Sequence, residues 1–139
     1  MKLSIITVNL NNLEGLKKTY ESVVCQTFTD YEWLVIDGGS TDGSREFIEQ
    51  HQDKFAFWCS EPDKGIYNAM NKGIVQATGE YLNFMNSGDC FACGNTLKVV
   101  FGKDRTADIL YGYAKEGDVD GKCDSPRMMK KDVYWYDLY

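Results

Sequence analysis

The residues best suited to chemistry lie in two polar segments, each of which follows an apolar run. The first segment reads DGGSTDG over residues 37–43, and the second reads NSGD over residues 86–89. A carboxylate at a strand end, such as Asp37, can accept hydrogen bonds from a ribose hydroxyl or from a base N–H group. One carboxylate such as Asp89, together with two phosphate oxygens and water, is enough to hold Mg²⁺ or Mn²⁺.

Each of these acids also has a purely structural interpretation. Asp42 stands where it can cap the helix that follows, and for this residue we prefer the structural role. For Asp37 we prefer a functional role, with its carboxylate pointing into a ligand cleft. A Ser-Gly-Asp turn does not by itself distinguish a metal ligand from a turn residue, so the pattern around Asp89 leaves both open.

Short apolar runs alternate with stretches of helical periodicity along the chain. The predicted strands cover residues 3–8, 31–36, 55–59, 80–85 and 108–111, and the predicted helices cover residues 13–24, 44–50, 63–76 and 95–101. This order predicts an α/β fold in which a mostly parallel sheet lies between two layers of helices. Ligands bind beyond the carboxyl ends of such strands, so we expect the site in the loops that start at Asn9, Asp37, Ser60 and Asn86.

Composition limits the classes of function. The 139 residues fit one domain, 1–139, and 43% of them are hydrophobic, as in ordinary globular proteins. A net charge of −6 argues against a nucleic-acid partner, because phosphate backbones require a basic surface. No apolar run approaches the roughly 20 residues that span a bilayer. Five cysteines, an odd number without a regular spacing, favour the reducing cytosol.

Four segments in a fixed order resemble a known family. They are SIITVNLNN at 4–12, VIDGGSTDGS at 35–44, SEPDKGIYNAMNKGIVQATGEY at 60–81 and FMNSGD at 84–89. Together they resemble the inverting family 2 glycosyltransferases, which have the Rossmann-like GT-A fold, over about residues 3–112. The longest segment is most similar to bacterial enzymes that build colanic-acid-like and other surface polysaccharides.

The resemblance implies transfer of a sugar from a UDP- or GDP-linked donor to a saccharide or lipid-linked acceptor. Residues 7–9 match the loop that lines the base, and Asp37 matches the acid that binds base and ribose. Residues 63–64 match a segment near the nucleotide and the donor sugar. The implied nucleotide-binding residues are Thr7, Val8, Asn9, Asp37, Gly38, Asp63, Lys64, Asn71, Ser87 and Gly88.

Asp89 matches the last acid of the family's DxD-type motif, which binds the metal that bridges the diphosphate. Asn86 and Gly88 stand where the family usually carries further acids, and Asn68 replaces an acid of the family's helix. We therefore expect Mg²⁺ or Mn²⁺ to be held weakly, through Asp89 and the diphosphate of the nucleotide.

The general base for inverting transfer is not identified by the sequence. In the family it is an acid well downstream of the metal motif, and the acids available here match no motif: Asp118, Asp120, Asp124, Asp132 and Asp137. Residues 113–139 match the family poorly and end in the aromatic run VYWYDLY. We expect them to belong to an acceptor-binding part that is truncated here, and we leave open a homo-oligomer that forms through the aromatic end.

Two other classes of function compete with the transferase. A nucleotide-binding or interaction module without transfer activity would explain the missing base. A flavodoxin-like or receiver-like domain would need a flavin phosphate loop or a phosphorylatable Asp. Asp37 ends a strand as a receiver Asp would, but Asn9, Asn11 and Asn12 stand where the paired acids of a receiver are expected. We expect a cytoplasmic protein, with peripheral association at the inner face of the membrane left open.

Overall fold

A computed structural model describes residues 1–110 of the chain. Strands and helices alternate from the start, as the apolar pattern predicts. A 3-10 turn covers Gln52–Lys54. The other elements, in chain order, are β1 Leu3–Asn9, α1 Leu13–Val24, β2 Tyr31–Asp37, α2 Ser44–Gln50, β3 Phe57–Ser60, α3 Ile66–Gln76, β4 Tyr81–Phe84 and α4 Thr96–Phe101.

The four strands of the described residues form one sheet in the order β3-β2-β1-β4. Every neighbouring pair is parallel, so all the carboxyl ends lie at the same edge. Because β1 lies between β2 and β4, the loop that follows β1 has the loops after both neighbours beside it. The sheet order therefore brings together the polar segments that are far apart in sequence.

Apolar side chains cover both faces of the sheet. On one face, Trp33 and Val35 pack with residues of α1, α2 and α4, namely Leu16, Val23, Ile48 and Leu97. On the other face, Ile6 and Leu34 pack with Ala69 and Met70 of α3. This confirms the predicted three-layer α/β/α arrangement. No helix among residues 1–110 is both long enough and apolar enough to cross a membrane.

Helix α3 differs from the sequence prediction in its start and in its buried face. It begins at Ile66, because Gly65 has a φ of +113°, which no residue inside an α-helix adopts. Its buried residues are Ala69, Met70 and Gly73, and a Cβ at Gly73 would lie 2.5 Å from Ile6. This close approach turns Ile66, Tyr67 and Ile74, which the periodicity would bury, toward solvent.

The last predicted strand is not formed where the structure describes it. Residues 108–110 have no strand pairing, and residue 111 lies outside the described residues. The hydroxyl of Tyr81 instead donates to the backbone carbonyls of Arg105 and Ala107, 3.2 and 2.7 Å away. A side-chain hydroxyl therefore holds residues 105–107 beside β4, in place of the backbone pairing of a strand.

Candidate functional site

A row of three polar side chains crosses the carboxyl edge of the sheet. Asn9, Asp37 and Ser60 are the last residues of β1, β2 and β3, and the strand register pairs Asn9 with Asp37 and Asp37 with Ser60. Asn9 Nδ2 donates to Asp37 Oδ1 at 2.7 Å, and Ser60 Oγ donates to Asp37 Oδ2 at 2.6 Å. Each neighbouring strand thus supplies one donor to the central carboxylate.

The loop after β2 completes the shell around this carboxylate. Ser40 donates to it through both its hydroxyl, at 2.5 Å, and its backbone N–H, at 2.8 Å, and Gly39 N–H donates at 3.2 Å. Asp37 is 0% exposed. Burial alone would raise the pKa of Asp37, but the hydrogen bonds from Ser40, Ser60 and Asn9 outweigh it and lower the pKa below the usual range.

The expectation that the Asp37 carboxylate points into the cleft is wrong. Both of its oxygens accept bonds from within the protein, and it has no contact with solvent. The side chains of Thr7, Val8 and Asn9 likewise lie inside the protein and do not line a cleft. Thr7 is 0% exposed and accepts a bond from the indole of Trp33 at 2.9 Å, and Val8 belongs to the core around α3.

Cross-links join the start of α1 to the loop after β2. The backbone N–H of Asn11 donates to Ser40 Oγ at 2.8 Å, and Asn11 Oδ1 accepts from Thr41 N–H at 2.8 Å. Asp42 accepts from the N–H groups of Leu13 at 2.9 Å and Ser44 at 3.1 Å. The N-cap of α2 is Gly43 and not Asp42, but Asp42 binds the first N–H groups of both helices, which is a structural role.

One accessible acid beside β2 is Asp63, in the loop after β3, whose Oδ1 accepts from Gly65 N–H at 2.9 Å. A Cβ built on Gly38 would lie 3.0 Å from Asp63 Oδ2 and 3.3 Å from the side chain of Leu10. Asp63 is half-buried, and Leu10 is 59% exposed. The structure thus brings together two residues of the sequence prediction, Gly38 and Asp63, and adds an exposed apolar neighbour to them.

The loop after β4 begins with a tight turn over residues 86–89. Asp89 N–H donates to the carbonyl of Asn86 at 2.9 Å, and Gly88 has a φ of +100°, a backbone conformation that favours glycine. Asn12, which also caps α1 through Gly15 N–H, donates to the carbonyl of Ser87 at 3.1 Å. Asn12 therefore links this turn to the loop after β1.

The turn offers oxygen atoms that suit a hard divalent cation. Asp89 is exposed as a residue, but its carboxyl is partly buried, and this burial raises the pKa of the carboxyl. Asn86 Oδ1 and Ser87 Oγ are buried and have no hydrogen-bond partner within the described part of the chain. No cluster of three or more His, Cys, Asp or Glu side chains that could hold a metal occurs within residues 1–110. The donor set fits a cation that takes its other ligands from phosphates.

Other predicted residues lie apart from these contacts. Asn71 and Lys64 are exposed, Asn71 on α3 and Lys64 in the loop before it, where the Lys64 N–H donates to Asn68 Oδ1 at 3.1 Å. The acids considered as general base, and the aromatic run 134–139, lie outside the described residues. The sequence placed Ser60 at the start of a site loop but not as a partner of Asp37, and it missed the contacts of Asn12, Thr19 and Ser40.

The sequence pattern of the family described as glycosyl transferase family 2 matches residues 4–131. A glycosyltransferase of Mycobacterium tuberculosis, strain CDC 1551, is 44% identical over 119 residues, which cover 82% of this chain and 45% of that protein. A PGL/p-HBAD biosynthesis glycosyltransferase of Mycobacterium bovis is 33% identical over 115 residues, covering 78% of this chain and 45% of that protein. The chain spans less than half the length of these relatives.

Solved structures agree on the fold. TarS of S. aureus superposes with a TM-score of 0.66 at 27% identity, over 73% of this chain and 19% of that one. TarS 1–349 in complex with UDP gives a TM-score of 0.64 at 25% identity, over 73% of this chain and 31% of that one. The mannosyltransferase PcManGT of Pyrobaculum calidifontis, in complex with GDP-Man and Mn²⁺, shares the fold with a TM-score of 0.61 at 23% identity, over 69% and 30% of the two chains.

Proposed function

Because this chain belongs to glycosyl transferase family 2 and has the GT-A α/β fold, we propose that it binds a nucleotide-sugar donor and transfers the sugar. The observation that carries the proposal is the joining of three loops around the end of β1. Asn11 connects that loop to the one after β2, and Asn12 connects it to the turn after β4. Asp63, in the loop after β3, lies beside Gly38 of the loop after β2, so Asp63 and Asp89 both belong to the carboxyl edge of the sheet.

The two acids suit different parts of the donor. Asp63, beside the side-chain-free Gly38, is available to accept hydrogen bonds from ribose hydroxyls or from a base N–H. Asp89 and the unpartnered oxygens of the turn would hold Mg²⁺ or Mn²⁺. When bound, the cation neutralises charge that develops on the leaving nucleoside diphosphate. The buried Asp37 does not contact the donor in this proposal; it keeps the ends of three strands in place.

Calorimetric titration of the chain with UDP, and with GDP in parallel, tests the donor site in the presence of Mn²⁺. Asp63→Asn should weaken binding about tenfold, because a hydrogen bond to a charged group contributes about 1.5–3 kcal/mol. Asp53→Asn is the matched control, since Asp53 is an exposed acid in the 3-10 turn before β3, at the opposite edge of the sheet. Equal affinity in the wild type and in Asp63→Asn would remove Asp63 from the site.

We further propose an inverting transfer to a saccharide or lipid-linked acceptor. The M. bovis relative named for PGL/p-HBAD biosynthesis supports an acceptor of this class. Turnover of UDP- and GDP-sugars with a panel of such acceptors, with the anomeric configuration of the product determined by NMR, tests it. Nucleotide binding without turnover on any acceptor would favour the alternative, a nucleotide-binding module without transfer activity.

We also propose a cytoplasmic location. None of the cysteines that the structure describes forms a disulfide, which suits a reducing compartment. Cell fractionation with a tagged chain tests this location, and a tagged chain found in a secreted fraction would contradict it.

A further inference from the structure

One polar stripe, on α1 and just past its end, holds the segment that follows β4. Thr19 and Ser22 are three residues apart on α1 and share one side of the helix, and Gln26 follows the C-cap residue Cys25. Ser22 Oγ accepts from Phe91 N–H at 2.7 Å. Gln26 accepts from Leu97 N–H at 3.1 Å and donates to the Cys93 carbonyl at 2.6 Å. These three side chains therefore bind backbone groups of the segment 88–97.

Thr19 makes the bonds of this stripe that reach the turn 86–89. Its Oγ1 accepts from Gly88 N–H at 3.0 Å and donates to the Asp89 carbonyl at 2.7 Å, with the Asn86 carbonyl 3.3 Å away. Thr19 is 0% exposed. A hydroxyl has one donor and two acceptor positions, so a single atom holds the peptide groups on both sides of the Gly88–Asp89 bond.

We propose that Thr19 is a positioning residue that fixes the Asp89 carboxylate in the orientation that takes a divalent cation. The inference deepens the proposed function and rests on it. Asp89 is the one carboxylate of the turn, so the direction of its side chain decides how well it shares the cation with a diphosphate. The turn bond from Asp89 N–H to the Asn86 carbonyl and the bond from Asn12 to the Ser87 carbonyl hold the start of the turn. The buried Thr19 hydroxyl adds the side-chain bonds that reach Gly88 and Asp89 themselves, next to the carboxylate.

The test is Mn²⁺ binding by the full chain in the presence of saturating UDP or GDP, read from the electron paramagnetic resonance of free Mn²⁺. Thr19→Val removes the hydroxyl and keeps the volume of the side chain, whereas Thr19→Ser keeps the hydroxyl. Groups that orient a metal ligand typically account for about 10- to 100-fold in metal affinity. We expect Thr19→Val to weaken Mn²⁺ about tenfold, and Thr19→Ser to retain the wild-type affinity.

Three controls separate positioning from general loosening of the segment. Ser22→Ala breaks the bond to Phe91 N–H on the same helix and should leave Mn²⁺ affinity unchanged. Metal-free binding of the nucleotide, measured in EDTA, should be the same for Thr19→Val and wild type. In an Asp89→Asn background, Thr19→Val should cause no further loss, because coupled residues are not additive.

The outcomes distinguish the inference from the function on which it rests. Wild-type Mn²⁺ affinity in Thr19→Val, or an equal loss in Ser22→Ala, overturns the positioning role while Asp89→Asn still weakens the metal. Wild-type Mn²⁺ affinity in Asp89→Asn overturns the metal assignment of the proposed function, and the positioning role with it. If Thr19→Val does not fold, a weakened Mn²⁺ affinity in Thr19→Ser, which lacks only the methyl group, also overturns the inference.

Discussion

The carboxamide of Asn9 donates to the carboxylate of Asp37 over 2.7 Å, between the last residues of two parallel strands. The bond lies inside the protein, since Asn9 is 1% exposed and Asp37 is 0% exposed. Charge-assisted hydrogen bonds in such surroundings are strong, and removing one partner leaves the other unpaired. The acid that most resembles a ligand-binding residue is therefore the one that holds the binding edge together.

Replacing Asp37 should destabilise the fold. In Asp37→Asn, the amide nitrogen would face groups that already donate, the hydroxyl of Ser60 or the N–H of Ser40. We expect a loss of about 2–4 kcal/mol in the free energy of unfolding, because a buried charged acceptor is lost. Urea denaturation followed by circular dichroism measures it. Asp53→Asn should change little, and a similar loss in both variants would contradict the account.

The Asp37 carboxylate should make the stability of the fold sensitive to acid. The pKa of folded Asp37 is lowered below that of the unfolded chain, which is about 3.9. Its contribution to stability is therefore fully present above about pH 4 and is lost as the pH falls through the folded pKa. Urea midpoints measured between about pH 5 and 2.5 should fall more steeply for wild type than for Asp37→Asn. Parallel pH profiles would show that Asp37 titrates normally.

Gly38→Ala should impair nucleotide binding with little effect on stability. The added Cβ would lie 3.0 Å from Asp63 Oδ2, so the Asp63 side chain must move. We expect UDP or GDP affinity to fall about tenfold, equivalent to about 1.4 kcal/mol. Calorimetry checks the affinity, and thermal melting checks the fold. In an Asp63→Ala background the Gly38→Ala change should have no further effect; a full additional loss there would place the steric effect elsewhere.

Divalent metal should bind appreciably only together with nucleotide. Asp89 is a single carboxylate, and Mg²⁺ or Mn²⁺ held by so few protein ligands needs phosphate oxygens. Titration of Mn²⁺ into the chain without nucleotide should show scarcely any binding, and addition of UDP or GDP should make binding measurable. Asp89→Asn should abolish that gain. Tight Mn²⁺ binding without nucleotide would indicate ligands beyond those described.

The sequence was sufficient for the first four strands, for the order of the helices and for the edge that carries the site, but not for the strand predicted at 108–111 or for the start of α3. Apolar runs give the strand positions, and parallel pairing then gathers their carboxyl ends, so Asn9, Asp37 and Asn86 were correctly assigned to one region. The sequence did not show that Asp37 is inaccessible to solvent. Its carboxylate is enclosed by donors from three segments, Asn9 on β1, Ser40 in its own loop and Ser60 on β3, and that enclosure depends on packing that a pattern of residue types does not show.

The buried face of helix α3 was also not predictable from the sequence pattern. Periodicity assigns Ile66, Tyr67 and Ile74 to the buried face, because large apolar residues usually determine it. The real face is set by Gly73, whose missing side chain lets the helix approach Ile6. Contacts of that kind depend on the distance between two surfaces, which a hydrophobic pattern does not encode.

The polar stripe also bears on how the segment after β4 can change over evolution. Ser22 and Gln26 bind it through main-chain groups of Phe91, Cys93 and Leu97, which every residue type except proline offers. Substitution is still limited where side chains pack or bond, since Phe91 packs against the core and the Cys93 thiol lies 2.6 Å from Asn95 Oδ1. The backbone bonds of this segment thus tolerate most residue types, and its side-chain contacts decide which of them are retained.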